Sequence, residues 1–283
     1  MSTTAATPSS IGVAPWRALF LTHLSKLETP EFVLSTLQPS ASSAAATPYL
    51  PRARYCIFRG MWGSLPENKH NEARKNDKVY ESDMLAFTTD ARMDKVPQIF
   101  ASSAGHGEAE QSHGSGGGGP VEAVFWIKDV MTQWRFKGEA YIIGPDIEGT
   151  GEKSSGVRTV KSRVGEGMRV VKEEGKGNWS WEREVGAYFG NLSPGMRGSF
   201  KNPPPGTPVG TSPKAGEGLG QKVSGPLEED EVARQNFRVV IIKADEVEQL
   251  DFTEPDKARR WKFTYVGAEG GEFGEWTKEE LWP

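Results

Sequence analysis

Apolar, β-branched and aromatic residues recur in short runs joined by local, turn-rich connections: 32–37, 51–62, 84–89, 121–128, 133–143, 237–242, 247–252 and 261–265. Runs of this length and composition read as strands. The runs 121–128 and 133–143 are separated only by the tight connection from Asp129 to Thr132, which predicts a β-hairpin. Run 237–242 is apolar throughout and suits a sheet centre. Local connections and few helical patterns together predict a mostly β chain of the α+β class, an antiparallel barrel with peripheral helices.

Helical spacing is confined to a few places. Pro15 suits a first helical position, and Trp16, Leu19, Phe20, Leu24 and Leu27 fall on one helical face behind it. Trp181, Val185, Tyr188 and Phe189 mark a second helix, followed by a turn at Ser193 and Pro194. Residues 1–13 are small and polar, so they bury too little apolar surface to offset the entropy of ordering and are expected to be disordered. The remainder, 14–283, reads as a single domain with flexible insertions at about 101–120, 146–178 and 202–230, because these segments interrupt strand runs that would otherwise form one sheet. The glycine run Gly114 to Gly119 is expected to be a flexible insertion, since no strand precedes it and no helix follows it as a phosphate-cradling fingerprint requires. Segment 146–178 has only Val157, Val160 and Val164 as apolar spacing, and its cations Arg158, Lys161, Arg163 and Arg169 read as a solvated loop.

Charge excludes several function classes. Across 283 residues, 34 Lys and Arg face 38 Asp and Glu, a net charge of -4 with both signs interspersed, which argues against nucleic acid or an anionic membrane as partner. No apolar run approaches the roughly 18 residues that a membrane span needs, and the N-terminus lacks a secretory signal, so a soluble cytoplasmic location is expected. Cys56 is the one cysteine and reads as a small core residue on a strand; the histidines His23, His70, His106 and His113 are scattered. No metal site is expected, and no Ser-His-Asp or paired-carboxylate constellation assembles.

The chemistry concentrates between Arg54 and Lys95. Thr88, Thr89, Arg92 and Lys95 lie within eight residues of a strand-to-helix turn, with Asp90 placed to cap a helix that Pro97 keeps short or kinked. Hydroxyls, cations and helix amides are the groups that hold a phosphate monoester. The same cluster also reads as solvated charges beside a helix cap. Arg54 and Arg59 are five apart in a strand and point to opposite faces unless the strand bends or bulges.

Three blocks in order, from Pro51 to Gly60, from Leu85 to Lys95 and from Gln133 to Gly138, resemble successive motifs of the pyridoxamine 5′-phosphate oxidase-like family. The resemblance spans roughly residues 15 to 145, with the later runs 181–194 and 236–240 similar to generic FMN-binding members whose substrate is unassigned. It implies an FMN-binding split β-barrel, a homodimer with flavin at the interface, and oxidoreductase chemistry; a non-catalytic flavin-binding or sequestering module and a pyridoxamine 5′-phosphate oxidase proper are the alternatives. The flavin-binding residues so implied are Arg54, Tyr55, Phe58 and Arg59 on the first strand, Phe87, Thr88, Thr89, Arg92 and Lys95 in the second block, Gln133 and Arg135 on the hairpin, and Arg260 near the C-terminus. Lys95 matches the family's phosphate-binding lysine, whereas Met93 and Asp94 replace the usual Ser-Arg pair before it. The Arg-x-His element of the true oxidases is missing as well, because the comparable run reads Arg259, Arg260, Trp261 and no histidine follows His113. Catalytic residues are not assigned, because flavin chemistry needs no acid or base from the chain.

Overall fold

A computed structural model describes residues 12–42, 46–103, 114–149, 154–225, 230–267 and 275–283. Its centre is a sheet in the order β10-β9-β8-β4-β2-β1-β5-β6, with a further pairing of β8 to β6 that closes six of these strands into an antiparallel barrel. The strands are β1 (Glu31–Pro39), β2 (Tyr49–Met61), β4 (Leu85–Asp90), β5 (Gly116–Ile127), β6 (Thr132–Ile143), β8 (Phe237–Asp251), β9 (Arg259–Tyr265) and β10 (Trp276–Leu281); short β3 (Tyr80–Ser82) and β7 (Met168–Val170) pair apart from them. Strand β8 explains how the barrel splits. Its first six residues pair with β4, its last six pair with β9, and β6 accompanies both halves. One continuous strand thus replaces the two expected over 237–242 and 247–252, and a register shift opposite Lys137 and Gly138 marks the change of partner.

Strand alternation fills the barrel. Phe32 and Leu34 of β1, Cys56 and Phe58 of β2, Phe87 of β4, Phe125 of β5 and Phe136 of β6 all point inward and are buried. Helix α1 (Arg17–Leu24) plugs one opening with Phe20, whose ring meets Phe58, Phe125, Trp134 and Phe136 edge-on at 4.7 to 6.1 Å. Helix α2 (Lys95–Ala101) packs on β1 and β5 through Val96 and Ile99.

A second apolar cluster lies outside the barrel. Helices α3 (Ser155–Gly165) and α4 (Trp181–Gly190) cover the outer side of β4, β6 and β8, where Ala86, Ile143, Val239 and Ile241 meet them; α5 (Pro194–Ser199) and α6 (Glu231–Asn236) follow. Helix α3 falls in a segment read from sequence as insertion. Val157, Val160 and Val164, spaced three and four apart, are each 0% exposed and form its buried stripe. Arg169, expected in a solvated loop, is buried between Glu81 at 2.6 Å and Asp83 at 2.7 Å.

The glycine run also departs from expectation, since β5 begins at Gly116 and the run is strand rather than flexible connection. Glycine is required there by the helix above it. A Cβ at Gly119 would stand 2.3 Å from the Ile99 carbonyl oxygen, and Gly117 holds φ at +99°. His106 and His113 lie outside the described residues, as do the N-terminal eleven.

Candidate functional site

Strand β2 and the β4-to-α2 turn meet at the α2 end of the barrel. Arg54 stands opposite Leu34 in the β1–β2 register, so its side chain shares the inward face and reaches under α2. Its guanidinium donates to Thr36 Oγ1 at 2.6 Å, to Gln98 Oε1 at 2.6 Å, and to the Leu34 and Arg52 carbonyls at 3.2 Å. Thr36 in turn donates to Gln98 Oε1 at 2.6 Å. Lys95, at the first turn of α2, is buried and donates to Thr89 Oγ1 at 3.0 Å, with Met93 Sδ at 2.8 Å.

Among the described residues, neither Arg54 nor Lys95 has a carboxylate within ion-pair distance. Burial pushes the Lys95 ammonium below its usual pKa, opposed by the Cys56 thiol and reinforced by Arg54. Burial likewise lowers Arg54 and raises Cys56, a rise that the charges of Lys95 and Arg54 oppose. Asp94 acts on both cations through space without pairing with either. A buried lysine and a half-buried arginine, both without a carboxylate partner among the described residues and with two hydroxyls and an amide beside them, make a donor set suited to a dianion such as a phosphate monoester.

The other residues implied by the resemblance are distributed elsewhere. Arg92 is drawn off the cluster: it bonds Asp90 at 2.7 and 2.9 Å, Glu217 at 3.3 Å and the Phe200 carbonyl at 3.1 Å. The helix begins at Lys95 rather than Ala91, so Asp90 serves this turn by accepting from the Arg92 N–H, and Pro97 sits in the first helical turn where its missing N–H costs nothing. Phe58 and Phe87 are core residues. Thr88 alternates with Thr89 and shares the face of Ala86, away from Lys95. Arg59 lies at a register shift in β2, between Phe58 and Gly60, and lines a separate groove at the α1 end.

Tyr55, Gln133, Arg135 and Arg260 lie on the outer face of the sheet. Gln133 stands opposite Trp126 and Leu250. Arg135 and Arg260 converge on buried Glu248 at 3.3 and 2.8 Å, with Lys137 at 3.6 Å. Despite burial, which pushes it up, Glu248 is held below the usual carboxylate range by these cations. Tyr55 is 75% exposed and Trp126 46% exposed on this same face, a large aromatic surface for one chain to leave in water.

Thr36, Gln98 and Cys56 complete the cluster and were not singled out from sequence as site residues. Two signals for them existed: Gln98 follows Lys95 by three positions, hence the same helix face, and Thr36 is the polar member of an otherwise apolar inward series with Phe32 and Leu34. Among the described residues no group of three His, Cys, Asp or Glu is placed to hold a metal ion, and no helix is long and apolar enough to cross a membrane.

A closed antiparallel barrel whose eighth strand leaves to pair with β9 and β10 is a split β-barrel. Residues 13–144, the segment that runs from α1 through β6, match the family described as pyridoxamine 5′-phosphate oxidase, FMN-binding domain. FMN, the cofactor implied by the sequence motifs, is the one this domain family is described by. A pyridoxamine 5′-phosphate oxidase-related, FMN binding protein from Nostoc punctiforme shares the fold at a TM-score of 0.53 and 19% identity, over 96% of this chain and 100% of that one. PhzG from Burkholderia lata, in complex with tetrahydrophenazine-1-carboxylic acid, matches with a TM-score of 0.36 at 10% identity over 94% of this chain and 87% of that one. General Stress Protein 26 from Bacillus anthracis matches with a TM-score of 0.31 at 11% identity over 82% and 92%. Comparison with curated proteins finds no significant match.

Proposed function

We propose that this protein is an FMN-dependent oxidoreductase that anchors the flavin by its phosphate at Arg54 and Lys95. The observation carrying the proposal is a pair of cations, Lys95 buried and Arg54 half-buried, that have no carboxylate partner among the described residues and lie beside Thr36, Thr89 and Gln98. A fold tolerates such a cost where a ligand relieves it. FMN, when bound, supplies hydride or electron transfer. The chain's part is to hold the phosphate, to orient it through the Gln98 bridge between Thr36 and Arg54, and to keep water out under α2. The outer face carrying Tyr55, Trp126, Gln133, Arg135 and Arg260 would lie against a second copy of the chain in a homodimer, which supports placing these residues near flavin in the assembly rather than in one protomer.

The purified protein is expected to carry a yellow chromophore released as FMN, or to be reconstituted by FMN when stripped. A colourless protein that takes up no FMN would refute the proposal. Anaerobic mixing of the loaded protein with NADH, NADPH and pyridoxamine 5′-phosphate then tests the oxidoreductase reading. Bleaching of the flavin by a donor supports it, and bleaching by none supports a flavin-binding module without catalysis. The histidine missing after Arg259 and Arg260 argues against pyridoxamine 5′-phosphate as the donor.

A further inference from the structure

Where β10 folds back on β9, a buried carboxylate stands without a partner. The Val266 N–H donates to the Glu275 carbonyl at 2.8 Å, which fixes Glu275 at the entry to β10. Glu275 is 6% exposed, and its Oε2 is buried with no hydrogen-bond partner among the described residues. It lines a cavity of about 50 Å³, together with Asp83 and Met84 before β4, Lys243 of β8, Tyr265 of β9 and Trp276 of β10. The other charged side chains of the walls are already matched. Asp83 meets Arg17 Nε at 2.9 Å and Arg169 Nη1 at 2.7 Å and accepts from the Ala14 N–H at 2.8 Å, while Arg169 also holds Glu81 at 2.6 Å. Two arginines thus balance two carboxylates. Lys243 donates to the Arg163 carbonyl at 3.0 Å and lies 3.5 Å from Glu166. Among the described residues, Glu275 is left as the uncompensated charge of the cavity. Burial and the nearby Asp83 push its pKa up, against the pull of Arg169.

We propose that this cavity binds a small primary alkylammonium ion, with its nitrogen at Glu275 Oε2 and its alkyl group against Tyr265 and Trp276. Charge sets the sign and the number. One unpaired carboxylate is balanced by one monocation, and a buried acceptor that lacks a donor is relieved by an N–H, in charge-assisted form when the donor is an ammonium. The walls set the class. The Tyr265 and Trp276 rings stand 5.4 Å apart at 66°, and an alkylammonium gains attraction from such aromatic faces. Hard divalent metal ions take six or more oxygen ligands, whereas no group of three His, Cys, Asp or Glu gathers among the described residues. Volume sets the size: a cavity of roughly 150 Å³ holds benzene and about 10 to 15 Å³ holds one water, so this one takes roughly two to four non-hydrogen atoms. Lys243, Tyr265, Glu275 and Trp276 all lie outside the matched segment 13–144, so the cavity depends on the part of the chain beyond the segment that matches the FMN-binding family.

The site is independent of the FMN assignment and is tested on the full chain by saturation-transfer NMR, with ethylammonium chloride as probe and ethanol as its uncharged counterpart of equal size. Three non-hydrogen atoms limit the Kd to about 0.5 mM at the tightest, so the titration is run through the millimolar range. Wild type should bind ethylammonium there and ethanol far more weakly. Glu275→Gln, which keeps the shape and removes the charge, should weaken ethylammonium about tenfold or more, and Glu275→Asp should restore part of the loss. Tyr265→Leu should weaken it about two- to fivefold, as loss of a cation–π contact predicts. Tyr265 is partly exposed at the end of β9, so this variant and the ethanol comparison keep the test decisive if Glu275→Gln fails to fold. Tetramethylammonium, which is larger and has no N–H to donate, should not compete. Absence of ethylammonium binding to wild type would mean a cavity for water only and would overturn the proposal. Equal binding of ethanol, equal competition by tetramethylammonium, or unchanged ethylammonium affinity in the Glu275→Gln protein would overturn it as well.

Discussion

Replacing Lys95 by methionine sets the binding role of the cluster against its structural cost. Lys95 is 8% exposed, lacks a carboxylate partner among the described residues, and has its charged form disfavoured by burial. Methionine keeps the stem and removes the charge. The loss is one hydrogen bond to Thr89, about 0.5 to 1.5 kcal/mol net, whereas relieving an unpaired buried ammonium returns about 1 to 3 kcal/mol. The cofactor-free variant should therefore be more stable by about 1 kcal/mol, a rise of roughly 2 to 4 °C in Tm for a chain of this size. FMN affinity should move the other way. A charge-assisted bond to phosphate contributes about 1.5 to 3 kcal/mol, so Kd should rise about 10- to 150-fold. Thermal unfolding of stripped protein and flavin fluorescence titration read the two effects separately. A destabilised apoprotein with unchanged FMN affinity would show that Lys95 is a structural lysine and would refute the reasoning.

The same lysine sets a pH dependence, because a folded pKa below 10.5 means that the unfolded chain holds the proton more tightly. Cys56, Tyr141 and Tyr188, whose pKa values burial raises, act with the opposite sign as pH rises, so the lysine is read by difference: the stability of stripped wild type minus that of stripped Lys95→Met, measured by urea unfolding, should rise with pH through the alkaline window below that value, and the rise should flatten when the wild type is loaded with FMN. Glu217→Gln should leave FMN affinity within about twofold, since Arg92 is held by Asp90 and serves the long loop rather than the phosphate, but should speed proteolysis between Asn202 and Gly225. Tighter FMN binding by this variant would instead mean that Glu217 competes with phosphate for Arg92. Val160→Asp in α3 should prevent stable folding, because an unpaired carboxylate at a fully buried position costs several kcal/mol, and circular dichroism of the purified chain checks it.

Sequence revealed the strands best where burial is one-sided or complete. The run 133–143 and its hairpin partner could be read because inward Trp134 and Phe136 alternate with outward Gln133, Arg135 and Lys137. Helix α3 was hidden by composition. Three valines among Gly, Lys and Glu look like a loop until the outer face of β6 and β8 supplies the apolar surface they cover. The glycines of β5 misled for a related reason: they are small because α2 lies within contact distance of their backbone, a constraint set by a distant segment. Of the cluster, Arg54, Thr89 and Lys95 could be read from local motifs. Gln98 and Thr36 could not be placed without knowing that α2 crosses β1, nor could the bond from Arg92 to Glu217, which lies 125 residues away.

The close approach of α2 to the β5 glycines fixes where Lys95 and Gln98 stand, and Gly119→Ala tests the consequence. The new Cβ would meet the Ile99 carbonyl oxygen at 2.3 Å and Ser102 Oγ at 2.4 Å, and the carbonyl cannot yield unless α2 moves outward as a body. Lys95 and Gln98 ride on that helix, whereas Arg54 and Thr36 belong to β2 and β1 and stay in place. The variant should therefore separate the halves of the cluster while the barrel core, built on the other strands, persists. Overpacking of this kind costs about 1 to 3 kcal/mol of stability. A phosphate held jointly by both halves would lose the geometry of its charge-assisted bonds, so FMN affinity should fall together with stability. Because Gly119 touches neither cation, unaltered FMN binding in a folded Gly119→Ala protein would mean that phosphate is held without α2, and the assignment of Lys95 would fail with it.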